Sequence, residues 1–299
     1  MRFINFKASE EERLGVLSQD GTLAIELSSI KLSKSFVDMN DLIKNISDCD
    51  LEVIKSTLSE NTRRSFAAYP IDEIKLCSPI KRPIHDIICV GVNYKAHLEE
   101  AKAGFDKNSF NKTNKTVYFS KRAAEAIGPD DTIISHADID EQLDYEVELA
   151  VIIGRRGVNI PKEQAEDYIF GYTVINDISA RQLQQQHNQW YRGKSLDTFT
   201  ALGPAIIYKS EIPFPVELNI YSRVNGELRQ NSNTKHFIAD IPSIIAEISN
   251  GITLEPGDII ATGTPSGVGL GFNPPRYMKS GDTVECEIEK IGVLRNIVK

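Results

Sequence analysis

Leu143-Asp144-Tyr145-Glu146-Val147-Glu148-Leu149-Ala150-Val151-Ile152-Ile153-Gly154 is the stretch that decides how this 299-residue chain is read. Glu146 and Glu148 alternate with apolar residues in a run with the composition of a strand. Side chains two apart on a strand point the same way. Two carboxylates therefore project together from a segment whose far end, residues 149–153, is apolar. Burying such charges without partners is costly or forces protonation, and a bound cation removes the problem. Asp177 ends a second apolar run, Tyr172-Thr173-Val174-Ile175-Asn176, and adds a third carboxylate. Three hard oxygen donors suit Mg²⁺ or Mn²⁺ better than zinc, which favours nitrogen and sulfur. A solvated edge strand with acidic residues on its outer face has the same pattern, so spacing alone leaves both readings open.

Around this segment, strands dominate. From residue 84 onward, β-type runs are expected at 87–92, 147–153, 172–176, 204–208, 216–224, 258–262 and 283–288. Turn signals such as Val224-Asn225-Gly226 and Pro256-Gly257-Asp258 separate them. Helices are expected at 96–104, 162–167, 179–187 and 241–249. Strands and helices do not alternate strictly, which excludes a doubly wound sheet and favours an α+β fold on a rolled or barrel-like mixed sheet. Residues 1–78 read as a small N-terminal α/β domain, with strands near 2–7, 13–16 and 22–26 and helices near 38–45 and 51–59. Ser78-Pro79-Ile80-Lys81-Arg82-Pro83 reads as the linker into a main domain, 79–299, because its prolines discourage regular structure.

Composition narrows the class. A net charge of −8 and a pI near 5.3 argue against a nucleic-acid partner, which requires a basic face. No apolar run reaches the roughly 18 residues of a membrane span, and the N-terminus lacks the apolar core of a signal peptide. Cys49, Cys77, Cys89 and Cys286 form no CxxC pair, consistent with reduced thiols in a cytoplasmic protein.

Other residues carry chemistry by spacing. His97 and Glu100 share one face if their segment is helical, and a carboxylate beside a histidine orients it for moving a proton. Asp177, Arg181 and Gln184, four and three residues apart, fall on one face of a helix starting near Asp177. There Arg181 would orient both a metal ligand and an anionic substrate. Lys194 follows Gly193 and offers an ammonium to an enolate or carboxylate. Gly257-Asp258-Ile259-Ile260-Ala261-Thr262-Gly263-Thr264-Pro265-Ser266-Gly267-Val268-Gly269 is glycine-dense but has no P-loop lysine. Its backbone N–H groups are expected to face a small anion, with the Thr264 hydroxyl beside them.

Five ordered blocks together resemble the fumarylacetoacetate hydrolase superfamily. They are Gly91-Val-Asn-Tyr-Lys-Ala-His97-Leu-Glu-Glu100, Leu143-Asp-Tyr-Glu146-Val-Glu148-Leu-Ala, Asn176-Asp177-Ile-Ser-Ala-Arg181, Gly193-Lys194-Ser-Leu-Asp197-Thr-Phe and Thr262-Gly-Thr264-Pro-Ser-Gly-Val-Gly269. The nearest likeness is to the bacterial branch with an extra N-terminal domain, related to oxaloacetate decarboxylase. The resemblance implies a homodimer on a twisted β-roll, with Mg²⁺ or Mn²⁺ on Glu146, Glu148 and Asp177. It implies a His97–Glu100 dyad on a mobile lid, and Lys194, Gln184 and Thr264 around the substrate. Lys121 resembles the family's basic residue near the substrate, although Arg122-Ala123-Ala124 follows in place of the usual proline or small polar residues.

A 2-oxo acid would chelate such a metal, and breaking a bond beta to its keto group leaves an enolate that the metal and Lys194 would hold. Decarboxylation of oxaloacetate is the leading expectation. Hydrolysis of an acylpyruvate, tautomerisation, and a scaffold with a vestigial metal site are the alternatives. The polar segment 98–116 is expected to be mobile and to close over the ligand.

Overall fold

The N-terminal strands form one end of a large sheet. The computed structural model describes residues 1–59, 66–104, 115–187 and 189–299. The first part comprises β1 (Arg2–Ala8), β2 (Glu11–Leu17), β3 (Leu23–Glu26), α1 (Met39–Asn45), α2 (Asp48–Ser59), β4 (Ala68–Pro70) and β5 (Lys75–Cys77). Then come β6 (Ile87–Val90), α3 (Lys95–Gly104), β7 (Tyr118–Lys121), β8 (Thr132–Ile133), β9 (Leu143–Asp144), β10 (Val147–Ile153), β11 (Ile169–Asp177) and β12 (Ser179–Ala180). The remainder is α4 (Arg181–Gln186), α5 (Tyr191–Lys194), β13 (Thr200–Tyr208), β14 (Asn219–Val224), β15 (Glu227–Asn233), α6 (Ile241–Ser249), β16 (Ile259–Ala261), β17 (Thr283–Ile288) and β18 (Gly292–Val298). This is the expected α+β architecture.

Among the described residues one eleven-stranded sheet runs β4-β3-β2-β1-β13-β11-β10-β16-β6-β7, with β5 also on β1. A second sheet, β15-β14-β17-β18-β8, packs against it. The boundary expected at residue 78 does not interrupt the large sheet. β1 pairs with β13, Arg2 opposite Ile207 and Phe3 opposite Ile206, so the N-terminal strands cover an edge that would otherwise present unpaired backbone groups. The Ser78-Pro79 segment is held to β1 by the Asn5 amide, which donates to the Ser78 and Pro79 carbonyls at 3.2 and 3.1 Å.

Strand β10 shows why both faces of the sheet are dry. Leu149, Val151 and Ile153 point into a core shared with Val284, Cys286 and Leu294 of the smaller sheet. Ala150 and Ile152 point the other way, into a core with Phe3 and the helix residues Met39, Leu42, Ile43 and Ile54. Every residue of β10 and β11 is buried. Glu146 and Glu148 share their phase with Ala150 and Ile152, so the acidic pair continues a buried face.

Three expectations shift locally. The helix expected at 179–187 begins only at Arg181, because Ser179 and Ala180 first pair with Asp144 and Leu143. Lys162–Tyr168 is a 3-10 helix. Strands β7, β15 and β18 were not anticipated; β15 is polar, with the sequence Glu-Leu-Arg-Gln-Asn-Ser-Asn, and its pairing supplies the order that its composition does not. The central part of the polar segment 98–116, residues 105–114, lies outside the described residues. Among the described residues no helix is long and apolar enough to cross a membrane.

Candidate active site

Cross-strand pairing brings the third carboxylate to the other two. Val147 lies opposite Asn176 and Glu148 opposite Ile175, and the Asp177 N–H donates to the Glu146 carbonyl at 2.9 Å. Asp177 therefore stands beside Glu146 on the same face of an antiparallel pair. Carboxylate oxygens of Glu146, Glu148 and Asp177 all lie within 4.8 Å of one another, and all three residues are buried.

Three cations surround this cluster. Lys194 Nζ donates to Glu146 Oε2 and Asp177 Oδ2, both at 2.7 Å. Lys121 Nζ faces Asp177 Oδ1 at 2.7 Å and donates to the Ile178 carbonyl at 3.0 Å. Arg181 reaches Glu146 Oε1 with Nη1 at 2.6 Å and Asp144 Oδ2 with Nε at 2.8 Å. Arg181 Nη1 also donates to Gln184 Oε1 at 2.9 Å, while its Nη2 is buried with no hydrogen-bond partner among the described residues. Phe119 lies under the Lys194 ammonium, 5.4 Å from nitrogen to ring centre.

The electrostatics separate the two glutamates. Burial alone would raise the Glu146 carboxyl, but Lys194, Arg181 and His97 outweigh it and hold the group down at about 2. Glu148 is raised well above the carboxylate range by burial, then by repulsion from Asp177 and Glu146. Its Oε2 accepts the Gly263 N–H at 2.7 Å. Burial lowers the Lys121 ammonium against the pull of Asp177, whereas Asp177 and Glu146 raise Lys194 in spite of burial. Three close oxygen donors, one of them disfavoured as an anion without a positive partner, fit a hard divalent cation.

The dyad comes from a different element. On α3, His97 Nδ1 lies 2.9 Å from Glu100 Oε2, and the His97 side chain is only 7% exposed. Glu100 Oε1 accepts the Gly267 N–H at 2.9 Å. His97 stands near enough to the cluster that a proton on it would lower Glu146.

The glycine-dense loop does face anions, and they are the chain's own carboxylates. Gly263 N–H serves Glu148, Gly267 N–H serves Glu100, and the N–H groups of Gly269 and Leu270 serve Asp144 at 2.7 and 2.9 Å. Thr264 is engaged with protein on both sides: its hydroxyl donates to the Val147 carbonyl at 3.0 Å and accepts from Gln230 Nε2 at 2.7 Å. Gln230 was not singled out in the sequence. It also donates to the Pro265 carbonyl and accepts from Val147 N–H and the Ser222 hydroxyl, fixing loop, strand and second sheet together. Asp144 ties Arg181 to the loop, a task its place in the sequence does not reveal. The Asn93 amide likewise joins distant segments, holding the Thr262 and Ala239 carbonyls at 2.8 and 3.0 Å.

Residues 86–299 match the model of the fumarylacetoacetate hydrolase C-terminal family. The chain belongs to the fumarylacetoacetate hydrolase family. Among its relatives is oxaloacetate tautomerase YisK of Bacillus subtilis, 47% identical over 228 residues that cover 76% of this chain and 74% of the relative. A solved fumarylacetoacetate hydrolase from Exiguobacterium antarcticum superposes with a TM-score of 0.83 at 38% identity, covering 100% of this chain and 99% of that one. Maleylpyruvate hydrolase from Sphingobium, solved with manganese(II) and pyruvate, gives 0.75 at 29%, covering 100% and 98%. Enzymes of this family thus include one with manganese bound, and the acidic triad here is a set of donors that can hold such an ion.

Proposed function

We propose that this enzyme interconverts the keto and enol forms of a small 2-oxo dicarboxylate, with oxaloacetate as substrate. The observation that carries the reading is the buried His97–Glu100 pair beside the acidic cluster. Glu100 engages Nδ1 and so leaves Nε2 as the nitrogen that takes a proton from the substrate's C3, the enolate oxygen taking one from water to complete the enol; in reverse the enol oxygen gives up its proton and Nε2 returns one to C3. The relative named oxaloacetate tautomerase supports the same reading.

Glu146, Glu148 and Asp177 would hold Mg²⁺ or Mn²⁺, which when bound supplies Lewis acidity to the 2-oxo carboxylate. The other roles belong to the chain. Lys194, fixed between Glu146 and Asp177, places positive charge where the enolate oxygen develops. Arg181 positions Glu146 and keeps Nη2 for a substrate carboxylate, with Gln184 steadying the guanidinium. Lys121 fixes Asp177 from the opposite side to Lys194. Thr264 and Gln230 hold the strand that carries Glu146 and Glu148.

Decarboxylation also leaves an enolate, that of pyruvate, but requires no proton carrier before the C–C bond breaks. The deciding experiment follows enol oxaloacetate and pyruvate together, with Mn²⁺ and with chelator. Metal-dependent loss of enol without matching pyruvate is expected. Stoichiometric pyruvate at the same rate would establish the decarboxylase, and turnover of acetylpyruvate alone the hydrolase.

A further inference from the structure

The loop that receives the chain's own carboxylates treats Glu100 differently from the other two. Glu148 and Asp144 belong to the strand region that builds the acidic cluster, whereas Glu100 arrives from α3. We infer that the turn from Gly267 to Gly271 is a receptor shaped for the Glu100 carboxylate, and that Gly271 is a positioning residue for the dyad because only a hydrogen there leaves room for it. This rests on the reading of His97 and Glu100 as the proton-moving pair.

The geometry has three parts. The Gly267 N–H donates to Glu100 Oε1, while Oε2 is left for His97. A Cβ built on Gly271 would lie 1.9 Å from Glu100 Oε1, 2.2 Å from Cδ and 2.5 Å from Cγ. The three nearest atoms are all in the Glu100 side chain, so the absence of a side chain at 271 serves that carboxylate. Gly271 is not among the positive-φ residues, so the backbone itself accepts alanine.

The turn is also held still from behind. Asp144 accepts from Gly269 and Leu270 N–H, and Tyr145 Oη donates to the Gly267 carbonyl at 2.9 Å. The Gly267 backbone, at φ +103°, packs on the Arg229 carbonyl so closely that a Cβ would lie 2.1 Å from it. The receptor therefore does not yield when a methyl group is added at 271. Glu100 yields, because it is the free end of a flexible side chain. Gly271→Ala should expel Glu100 from the Gly267 N–H and uncouple it from His97.

The test is a cycle of wild type, Gly271→Ala, Glu100→Ala and the double variant. Hydrogen exchange of residues 95–100 and steady-state kinetics are both read. Loss of one charge-assisted bond should lower α3 protection roughly 10- to 100-fold in each single variant. In the double variant the methyl fills the space that Glu100 vacated, so no further loss is expected. In kinetics kcat should fall in Gly271→Ala while KM and Mn²⁺ affinity by calorimetry stay at wild-type values. Unchanged protection in Gly271→Ala, additive losses in the double variant, or a rise in KM at constant kcat would each overturn the inference. The exchange cycle needs no turnover, so an inactive wild type would refute the proposed reaction while leaving the receptor independently tested.

Discussion

The acidic cluster and the histidine dyad sit side by side but are held by unlike means. Glu146, Glu148 and Asp177 stand on or beside two fully buried strands; Lys121, Lys194 and Arg181 grip Glu146 and Asp177, and Glu148 has the Gly263 N–H. His97 and Glu100 stand on a single helix, and Glu100 meets the rest of the molecule through one backbone N–H and a glycine notch. The cluster is therefore part of what keeps the fold together, whereas the dyad is an attachment to it. Perturbing the first should disturb stability and binding together; perturbing the second should affect proton transfer and the local order of α3, leaving global stability and metal binding unchanged.

The strongest challenge to that contrast is Glu148→Gln. Divalent-ion binding should disappear in calorimetry. Glu148 has a raised pKa in the fold, so its favourable contribution is present at low pH and is lost as pH rises through the folded value. The metal-free variant should therefore be more stable than metal-free wild type at neutral pH in thermal melts. A lower melting temperature would mean that Glu148 is paired after all.

His97→Ala should lower enolisation by about 10² to 10⁴, the usual worth of a general base, with melting temperature and Mn²⁺ affinity unchanged. A parallel loss of stability would make the dyad as structural as the cluster. Arg181→Met should lower stability as well as substrate binding. It strips a buried cation from Asp144 and Glu146, which costs about 3–5 kcal/mol in comparable cases, readable in urea unfolding.

The smallest effect is far from the site. Ser33 and Ser47 each give Asp50 a backbone N–H and a hydroxyl, and against the effect of burial these bonds hold its carboxyl down at about 2 from an ordinary 3.8. Asp50→Ala should cost about 1–3 kcal/mol at neutral pH. A lowered carboxylate contributes above its unfolded pKa, so the gap between the two proteins should close as pH falls from about 4 to about 2. A gap that persists at pH 2 would locate the effect in packing.

Local periodicity is what made the site legible. Period two put Glu146 and Glu148 on one face, and a spacing of three put His97 against Glu100, because those geometries follow from φ and ψ within one element. The same locality made Ser47 and Asp50 a capping pair at the start of α2. Glycine density in residues 257–269 pointed to anion-facing N–H groups, since glycine permits that backbone.

Which anions they face was decided only by tertiary structure. Gly263 meets Glu148 across 115 residues, Gly269 meets Asp144 across 125, and Gly267 meets Glu100 across 167. Nothing in a local window encodes such pairs. The arrival of Lys121 at Asp177 depends on the β6–β7 pairing, and the task of Gln230 on the docking of a second sheet. The N-terminal strands read as a separate unit because the proline-containing segment 78–83 follows them. Their attachment through β1 to β13 joins positions some 200 residues apart, Phe3 and Ile206 among them, and long-range strand pairing leaves no periodic trace in either partner.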